Sequence, residues 1–117
     1  MITLYGIKNC DTMKKARTWL DAHGVAYRFH DYRAEGIDRE HLAEWCRKLG
    51  WEILLNRAGT TFKKLPDTDK TDLNERKAIA LMLAQPSMIK RPVLEAGGKL
   101  LVGFKEADYA EQWARRR

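Results

Sequence analysis

The sequence has no long apolar run and few cysteines. No stretch of the 117 residues approaches the roughly 18 consecutive apolar residues that a membrane-spanning helix needs. The opening MITLYG is too short to be the apolar region of a signal peptide. Two cysteines cannot form a disulfide-dense scaffold, and a reducing cytosol opposes one. These absences predict a cytoplasmic protein with no membrane partner, and they leave thiol chemistry available.

What remains is the composition of an ordinary globular domain, with 44% hydrophobic and 32% charged residues. This length supports one modest core and is short for two domains. The formal net charge of +6 suits a nucleic acid, an acidic protein or a small anion, and does not choose among them. Trp19, Trp45 and Trp113 fall mainly on predicted core faces of helices, which leaves no aromatic platform for bases, so no nucleic-acid partner is expected.

Strand-like and helix-like patterns alternate in the first third of the chain. ITLY predicts a strand, and the apolar spacing that follows predicts a helix from about Cys10 to His23. VAYRFHDY then predicts a second strand. Because a strand that returns after a helix pairs in parallel, these elements predict a right-handed βαβ unit.

Helical patterns dominate the middle of the chain. Asp38 begins a helical pattern that ends at Gly50, in which Cys46 shares an apolar face with Leu42 and Trp45. Buried packing is therefore the favoured interpretation of Cys46.

A second helix is predicted further along. Asp72 and Glu75 have the spacing of a capping box, and good helix formers continue to Pro86.

The end of the chain predicts a hairpin followed by a helix. VLEAGGKLLVGF contains two strand-like runs that meet at Gly97 and Gly98, a pair suited to a tight turn. A final helical pattern follows. Its predicted inner face is formed by Ala107, Ala110, Trp113 and Ala114. Together with the βαβ unit, this order predicts an α/β protein with four mixed strands.

Cys10 lies where the loop after the first strand meets the first helix. Ligands of open α/β sheets bind at the carboxyl ends of strands, and a helix N-terminus favours a thiolate over a thiol. Lys8, Lys14 and Lys15 add positive potential. A carboxylate at Asp11 has the opposite effect if it lies near the sulfur. Position alone does not distinguish a reactive cysteine from an ordinary loop cysteine.

Other uses of Cys10 have less support. Met13 stands three residues later, so there is no Cys-x-x-Cys pair, and a reactive Cys10 would need a separate thiol to regenerate it. The histidines show no ligand spacing with either cysteine, so no metal site is expected. They are His23, His30 and His41.

Three motifs follow one another along the chain: NCDTMKKA at 9–16, NRAGTTF at 56–62 and KRPV at 90–93. Together they resemble the arsenate reductase ArsC family, and more closely its Spx and YffB branch. The resemblance implies a thioredoxin-like βαβ…ββα fold with a mixed four-stranded sheet. It also implies a single domain over 1–117, with a helical insertion at about 38–86 between the two halves.

The resemblance implies a site around Cys10. Cys10 matches the family's nucleophile, and Arg57 and Arg91 match two arginines of its anion site. A guanidinium suits this task because its fixed fork pairs with two oxygens and stays charged. Pro92 matches the proline that thioredoxin-like folds hold in cis. Without the resemblance, each arginine would be interpreted as part of a surface ion pair.

The YffB branch implies glutathione-dependent thiol–disulfide reduction through one cysteine. Cys10 would form a mixed disulfide with glutathione, the co-substrate, and no metal or bound organic cofactor is expected. The second substrate would be a small-molecule or protein disulfide. The expected glutathione-binding residues are Lys8, Asn9, Arg57, Arg91 and Pro92.

Two alternatives follow from the same resemblance. Arsenate reductases carry a third anion-binding arginine where this chain aligns Gly103, which weakens arsenate as a substrate. Spx-type proteins regulate transcription by binding RNA polymerase, commonly with a Cys-x-x-Cys switch that Met13 removes here. A polymerase-binding regulator without that switch is the second alternative.

Overall fold

The computed structural model describes residues 2–8 and 10–114, and the side chain of Ala114 lies outside that description. The chain forms two compact units. One contains the chain up to Asp31 and from Arg91 onward, and the other spans Tyr32–Lys90. The helical unit is longer at both ends than the insertion expected at about 38–86. The interpretation of residues 1–117 as a single domain stays a prediction.

The first unit is built on a mixed four-stranded sheet in the order β2-β1-β3-β4. The parallel pair is β1 with β2, whereas β1–β3 and β3–β4 are antiparallel. The strands are β1 Ile2–Gly6, β2 Arg28–Asp31, β3 Val93–Ala96 and β4 Lys99–Val102. A βαβ half and a ββα half that share one sheet in this order form the thioredoxin-like fold, so the predicted fold class is confirmed.

Helices connect and flank these strands, and a short 3₁₀ turn at Pro86–Met88 follows the seventh helix. The helices are α1 Asp11–Ala22, α2 Tyr32–Glu35, α3 Arg39–Leu49, α4 Trp51–Leu54, α5 Thr60–Lys63, α6 Asp67–Lys70, α7 Glu75–Ala84 and α8 Glu106–Ala114. The second strand is shorter than predicted at both ends, since it begins at Arg28 instead of Val25 and since Tyr32 already begins α2.

The core of the sheet unit lies between the sheet and helices α1 and α8. The helical spacing of α1 buries one of its faces, as predicted. The cluster consists of Leu4, Met13, Ala16, Trp19, Leu20, Leu94 and Tyr109. This packing fixes α1 on the sheet, and with it the start of that helix.

The inner face of α8 differs from the prediction. Ala107 and Ala110 are exposed, whereas Tyr109 is fully buried and Trp113 packs against the cluster. Tyr109 makes an edge-on ring contact with Trp19 at 5.6 Å between centroids. Burying an aromatic ring removes far more apolar area from water than burying an alanine methyl, so the rings set the orientation of this helix.

The predicted hairpin is present. Gly97 and Gly98 have φ angles of +55° and +83°, and they join β3 to β4. Both angles are positive, as a two-residue turn of this kind requires, which explains why glycine stands at both positions.

In the helical unit, α3 begins and ends as predicted. Asp38 is its N-cap, and the Asp38 carboxylate accepts a hydrogen bond from the His41 backbone N–H at 2.8 Å. Gly50 follows its last turn. The predicted burial of Cys46 is confirmed, since only 3% of this residue is exposed.

The predicted capping box of α7 is wrong. Asn74 is the N-cap, and its side-chain oxygen accepts from the Lys77 backbone N–H at 2.9 Å. Asp72 instead has a φ of +52° in the preceding loop. Because the cap must lie directly before the first helical residue, Glu75, Asn74 takes that position.

Among the helices of residues 2–8 and 10–114, none is long and apolar enough to cross a membrane. The same part of the chain contains no group of three or more His, Cys, Asp or Glu residues that could hold a metal ion.

Candidate active site

Cys10 is the N-cap residue of α1. Its backbone is extended, with φ −134° and ψ 129°, and its carbonyl accepts the first helical hydrogen bond from Lys14 N at 3.0 Å. The side chain is half-buried against the core cluster of the sheet unit, and the thiol forms no disulfide. The end of β1 and the start of α1 therefore present a free thiol to the first turn of a helix.

The surroundings of Cys10 favour its thiolate. Burial of the sulfur opposes ionisation and is the largest single influence. The nearby backbone N–H of Met13, the Arg91 side chain with its positive charge, and the backbone N–H of Thr12 act in the other direction. Together they outweigh burial and lower the pKa of the Cys10 thiol below its ordinary value. Since the thiolate is the nucleophile, this environment promotes reaction.

Arg91 reaches Cys10 because of the strand pairing. In the antiparallel β1–β3 ladder, Val93 lies opposite Tyr5. The residues just before Val93 therefore run beside the loop that leads from β1 to Cys10. This placement brings the Arg91 guanidinium to the sulfur, although the two residues are far apart along the chain.

Pro92 joins Arg91 to the start of β3. The Arg91–Pro92 peptide bond is cis, as the resemblance implies, and Pro92 is buried. The Pro92 carbonyl accepts a hydrogen bond from the Gly103 backbone N–H at 2.8 Å. The structure thus brings Cys10, Arg91 and Pro92 together and adds the backbone of Gly103 to their surroundings.

The other predicted site residues have different positions. Lys8 is exposed in the loop before α1, and Asn9 lies outside the described residues. Arg57 is an exposed residue of the helical unit, where its guanidinium lies over the Trp51 ring at 5.7 Å from the centroid. The glutathione-binding roles of these residues stay predictions.

The sequence analysis expected the helix N-terminus to favour the thiolate without naming its donors, and the backbone N–H groups of Met13 and Thr12 supply that effect. The available signal was the position of Cys10 directly before the first helical residue, because the first backbone N–H groups of a helix have no partner within it. A side chain at that position lies near these N–H groups, whichever residues carry them.

Cys46 contrasts with Cys10. Burial, together with the nearby carboxylates of Glu75 and Glu52, raises its pKa to about 11. At neutral pH the Cys46 thiol is therefore protonated and inert as a nucleophile. Among the described residues, Cys10 is the thiol whose environment suits chemistry.

A model of the ArsC family matches residues 5–112, and the chain therefore belongs to that family. The family includes arsenate reductases. The predicted family is confirmed, and the match of Cys10 to the family's nucleophile stays a prediction.

Two solved structures resemble the chain over nearly all of its length. A protein named YffB is 70% identical, and the match covers 95% of this chain and 97% of that one with a TM-score of 0.94. An arsenate reductase (ArsC) related protein from Brucella melitensis is 59% identical, with 96% and 93% covered and a TM-score of 0.77.

A more distant relative is a regulator. The global transcriptional regulator Spx of Streptococcus mutans is 29% identical, over 91% of this chain and 78% of that protein. The chain is therefore similar both to a reductase-related protein and to a transcriptional regulator.

Proposed function

We propose that the protein is a glutathione-dependent thiol–disulfide reductase that acts through Cys10 alone. The observation that carries the proposal is the combination at Cys10 of helix N-terminal amides and the Arg91 guanidinium, which lowers the pKa of the thiol. A half-buried cysteine with no such partners would have no reason to be acidic. The reaction belongs in a reducing compartment, which agrees with the predicted cytoplasmic location.

The reaction has two exchange steps. The Cys10 thiolate attacks the glutathione sulfur of a mixed disulfide, so that a Cys10–glutathione disulfide forms and the other thiol leaves as a thiolate that takes a proton from water. A second glutathione thiolate then attacks the glutathione sulfur of that adduct. This step releases glutathione disulfide and restores the Cys10 thiolate. Overall, one glutathione thiol is oxidised as it enters glutathione disulfide, and the other sulfur of the mixed disulfide is reduced to a thiol.

One enzyme cysteine is sufficient for this cycle. Cys46 is buried and its pKa is raised to about 11, so it is poorly suited to resolve an adduct on Cys10. Met13 occupies the position where a resolving cysteine of a Cys-x-x-Cys pair would stand. Regeneration by a second glutathione fits both facts.

Arg91 has two tasks in this mechanism. Its guanidinium stabilises the attacking thiolate, and when the sulfur becomes part of a disulfide the same charge is available to a glutathione carboxylate. Lys8, exposed in the preceding loop, supplies a second cation for the same tripeptide. Pro92, at the start of β3, borders the peptide backbone of the bound tripeptide.

The test is intact-mass analysis after incubation with glutathione disulfide. We expect the wild-type protein and Cys46→Ser to gain one glutathionyl group near neutral pH and to lose it to reduced glutathione. Cys10→Ser should gain none. An adduct on Cys10→Ser, or a disulfide between Cys10 and Cys46, would contradict the single-cysteine mechanism.

A second candidate is a polymerase-binding regulator, favoured by the similarity to Spx. Purified RNA polymerase distinguishes the two functions. Capture of the polymerase by Cys10→Ser as well as by the wild type, without any glutathione adduct on the wild type, would favour this candidate. Arsenate reduction has less support, because Gly103 offers no side chain to an oxyanion.

A further inference from the structure

Gly103 borders the site and leaves open space there. It directly follows β4, and its N–H donates to the Pro92 carbonyl at 2.8 Å. A Cβ built on Gly103 would meet no atom within 4 Å. Its φ of +76° lies in the left-handed region that side chains other than asparagine and aspartate rarely adopt. Position 103 therefore carries no side chain, and its backbone conformation favours glycine there.

The open space is connected to Cys10 by a short series of contacts. The Arg91 side chain is hydrogen-bonded to the Cys10 thiol, Pro92 follows Arg91, and Gly103 is hydrogen-bonded to Pro92. A disulfide attacked by Cys10 carries one organic group on each sulfur, and each such group is called an arm of the substrate. Gly103 thus neighbours Pro92, the residue that follows Arg91, and a glycine there permits close approach of another backbone.

We propose that Gly103 is a specificity-determining residue that admits an extended, peptide-like arm of the disulfide substrate. The proposal rests on the proposed function and names its substrate class: disulfides in which the sulfur attacked by Cys10 belongs to a peptide such as glutathione. A disulfide with short arms does not need the space at Gly103. A side chain at position 103 should therefore penalise peptide disulfides selectively.

The chain offers a matched control at Gly98. This glycine has a φ of +83°, a Cβ on it would also meet nothing within 4 Å, and it lies in the β3–β4 turn. Gly103→Asn and Gly98→Asn thus add the same side chain at a positive φ that asparagine tolerates. Any effect of the backbone conformation alone should be similar in both variants.

The experiment measures adduct formation on Cys10 with two disulfides, glutathione disulfide and the disulfide of 2-mercaptoethanol. The quantity compared is the ratio of the two second-order rate constants. We expect Gly103→Asn to lower this ratio by about tenfold, a size typical of steric discrimination in a pocket. Gly98→Asn should keep the wild-type ratio. Thermal unfolding of both variants reports whether they are folded.

The remaining outcomes separate the two proposals. An unchanged ratio in Gly103→Asn, or an equal fall in Gly98→Asn, overturns the role of Gly103 and leaves the proposed function intact. A wild-type protein that reacts with neither disulfide overturns both. If Gly103→Asn does not fold, the wild type is tested with cystine and with disulfides of longer cysteine peptides. Faster reaction of the longer peptides supports the proposal, and equal rates contradict it.

Discussion

Gly6, the last residue of β1, and Met13, on α1, pack so closely that no side chain fits between them. A Cβ built on Gly6 would lie 2.6 Å from Met13 Cε and would overlap Met13 Sδ. Met13 is fully buried, so its thioether has no solvent to move into. The contact joins the strand that precedes Cys10 to the helix that follows it, and thereby fixes the helix N-terminus on which the thiol depends.

Gly6→Ala should destabilise the protein by about 1–3 kcal/mol, the usual cost of inserting a methyl group into a packed core. Denaturant unfolding measures this cost. In a Met13→Ala background, which has room for the new methyl, the same substitution should cost less. An equal cost in both backgrounds would show that Met13 is not the neighbour responsible.

Arg91→Ala should raise the pKa of Cys10, because the substitution removes a hydrogen-bond donor and a positive charge that favour the thiolate. The midpoint of the pH dependence of iodoacetamide alkylation, measured in a Cys46→Ser background, should move upward, and the thiolate fraction at neutral pH should fall, which slows alkylation there. Arg91→Lys keeps the positive charge without the forked guanidinium. Its alkylation midpoint should lie between those of the wild type and Arg91→Ala. A midpoint that does not move in Arg91→Ala would exclude the contact.

The lowered pKa of Cys10 also links this thiol to stability. A group that is more acidic in the folded protein stabilises it above the pKa of the unfolded chain, and this contribution is lost as the pH falls through the folded pKa. In the Cys46→Ser background, the free energy of unfolding should therefore increase as the pH rises through the folded pKa of Cys10. Cys10→Ser should lack that increase. An equal pH dependence in both proteins would argue against the shift.

Arg57→Ala should raise the KM for glutathione severalfold if Arg57 binds a glutathione carboxylate. Arg57 is exposed and contacts the Trp51 ring, and exposed cation–π contacts contribute only about 0.5–1 kcal/mol. The melting temperature should therefore change little. Arg76→Ala is the control, since it removes the same charge from an exposed position on α7. Equal KM values for the two variants would remove Arg57 from the site.

Asn74→Ala should cost about 1 kcal/mol, because it removes the side chain that caps α7. Asp72→Gly should be neutral or stabilising, since Asp72 has a φ of +52° and glycine adopts that conformation without steric cost. Urea unfolding of both variants measures the contrast. A larger loss in Asp72→Gly than in Asn74→Ala would restore the predicted capping box.

Strong local signals account for what the sequence predicted. The apolar spacing of α1 and the pair Gly97–Gly98 specify their elements through neighbouring residues, so the βαβ unit and the hairpin were predicted. The orientation of α8 depends on how Tyr109 packs against Trp19, which is a tertiary contact. The four-residue helix at Tyr32 is too short to give a periodic signal.

The candidate site divides in the same way. The position of Cys10 before a helix follows from local pattern, and the amides of its first turn follow from that position. The interaction of the Arg91 side chain with Cys10 does not follow from local pattern, because it depends on the register of β1 with β3. The family resemblance supplied Arg91 as a candidate, and only the fold explains how it reaches the sulfur.

The two parts of the Cys10 environment become available at different times during synthesis. The backbone N–H groups of Thr12 and Met13 take their positions as soon as α1 forms. Arg91, in contrast, is translated only after all of Tyr32–Lys90. Until β3 pairs with β1, Cys10 therefore lacks the donor and the positive charge of Arg91. The full acidity of Cys10 thus depends on the pairing of β3 with β1. Its reactivity toward a thiol reagent reports whether that pairing has formed.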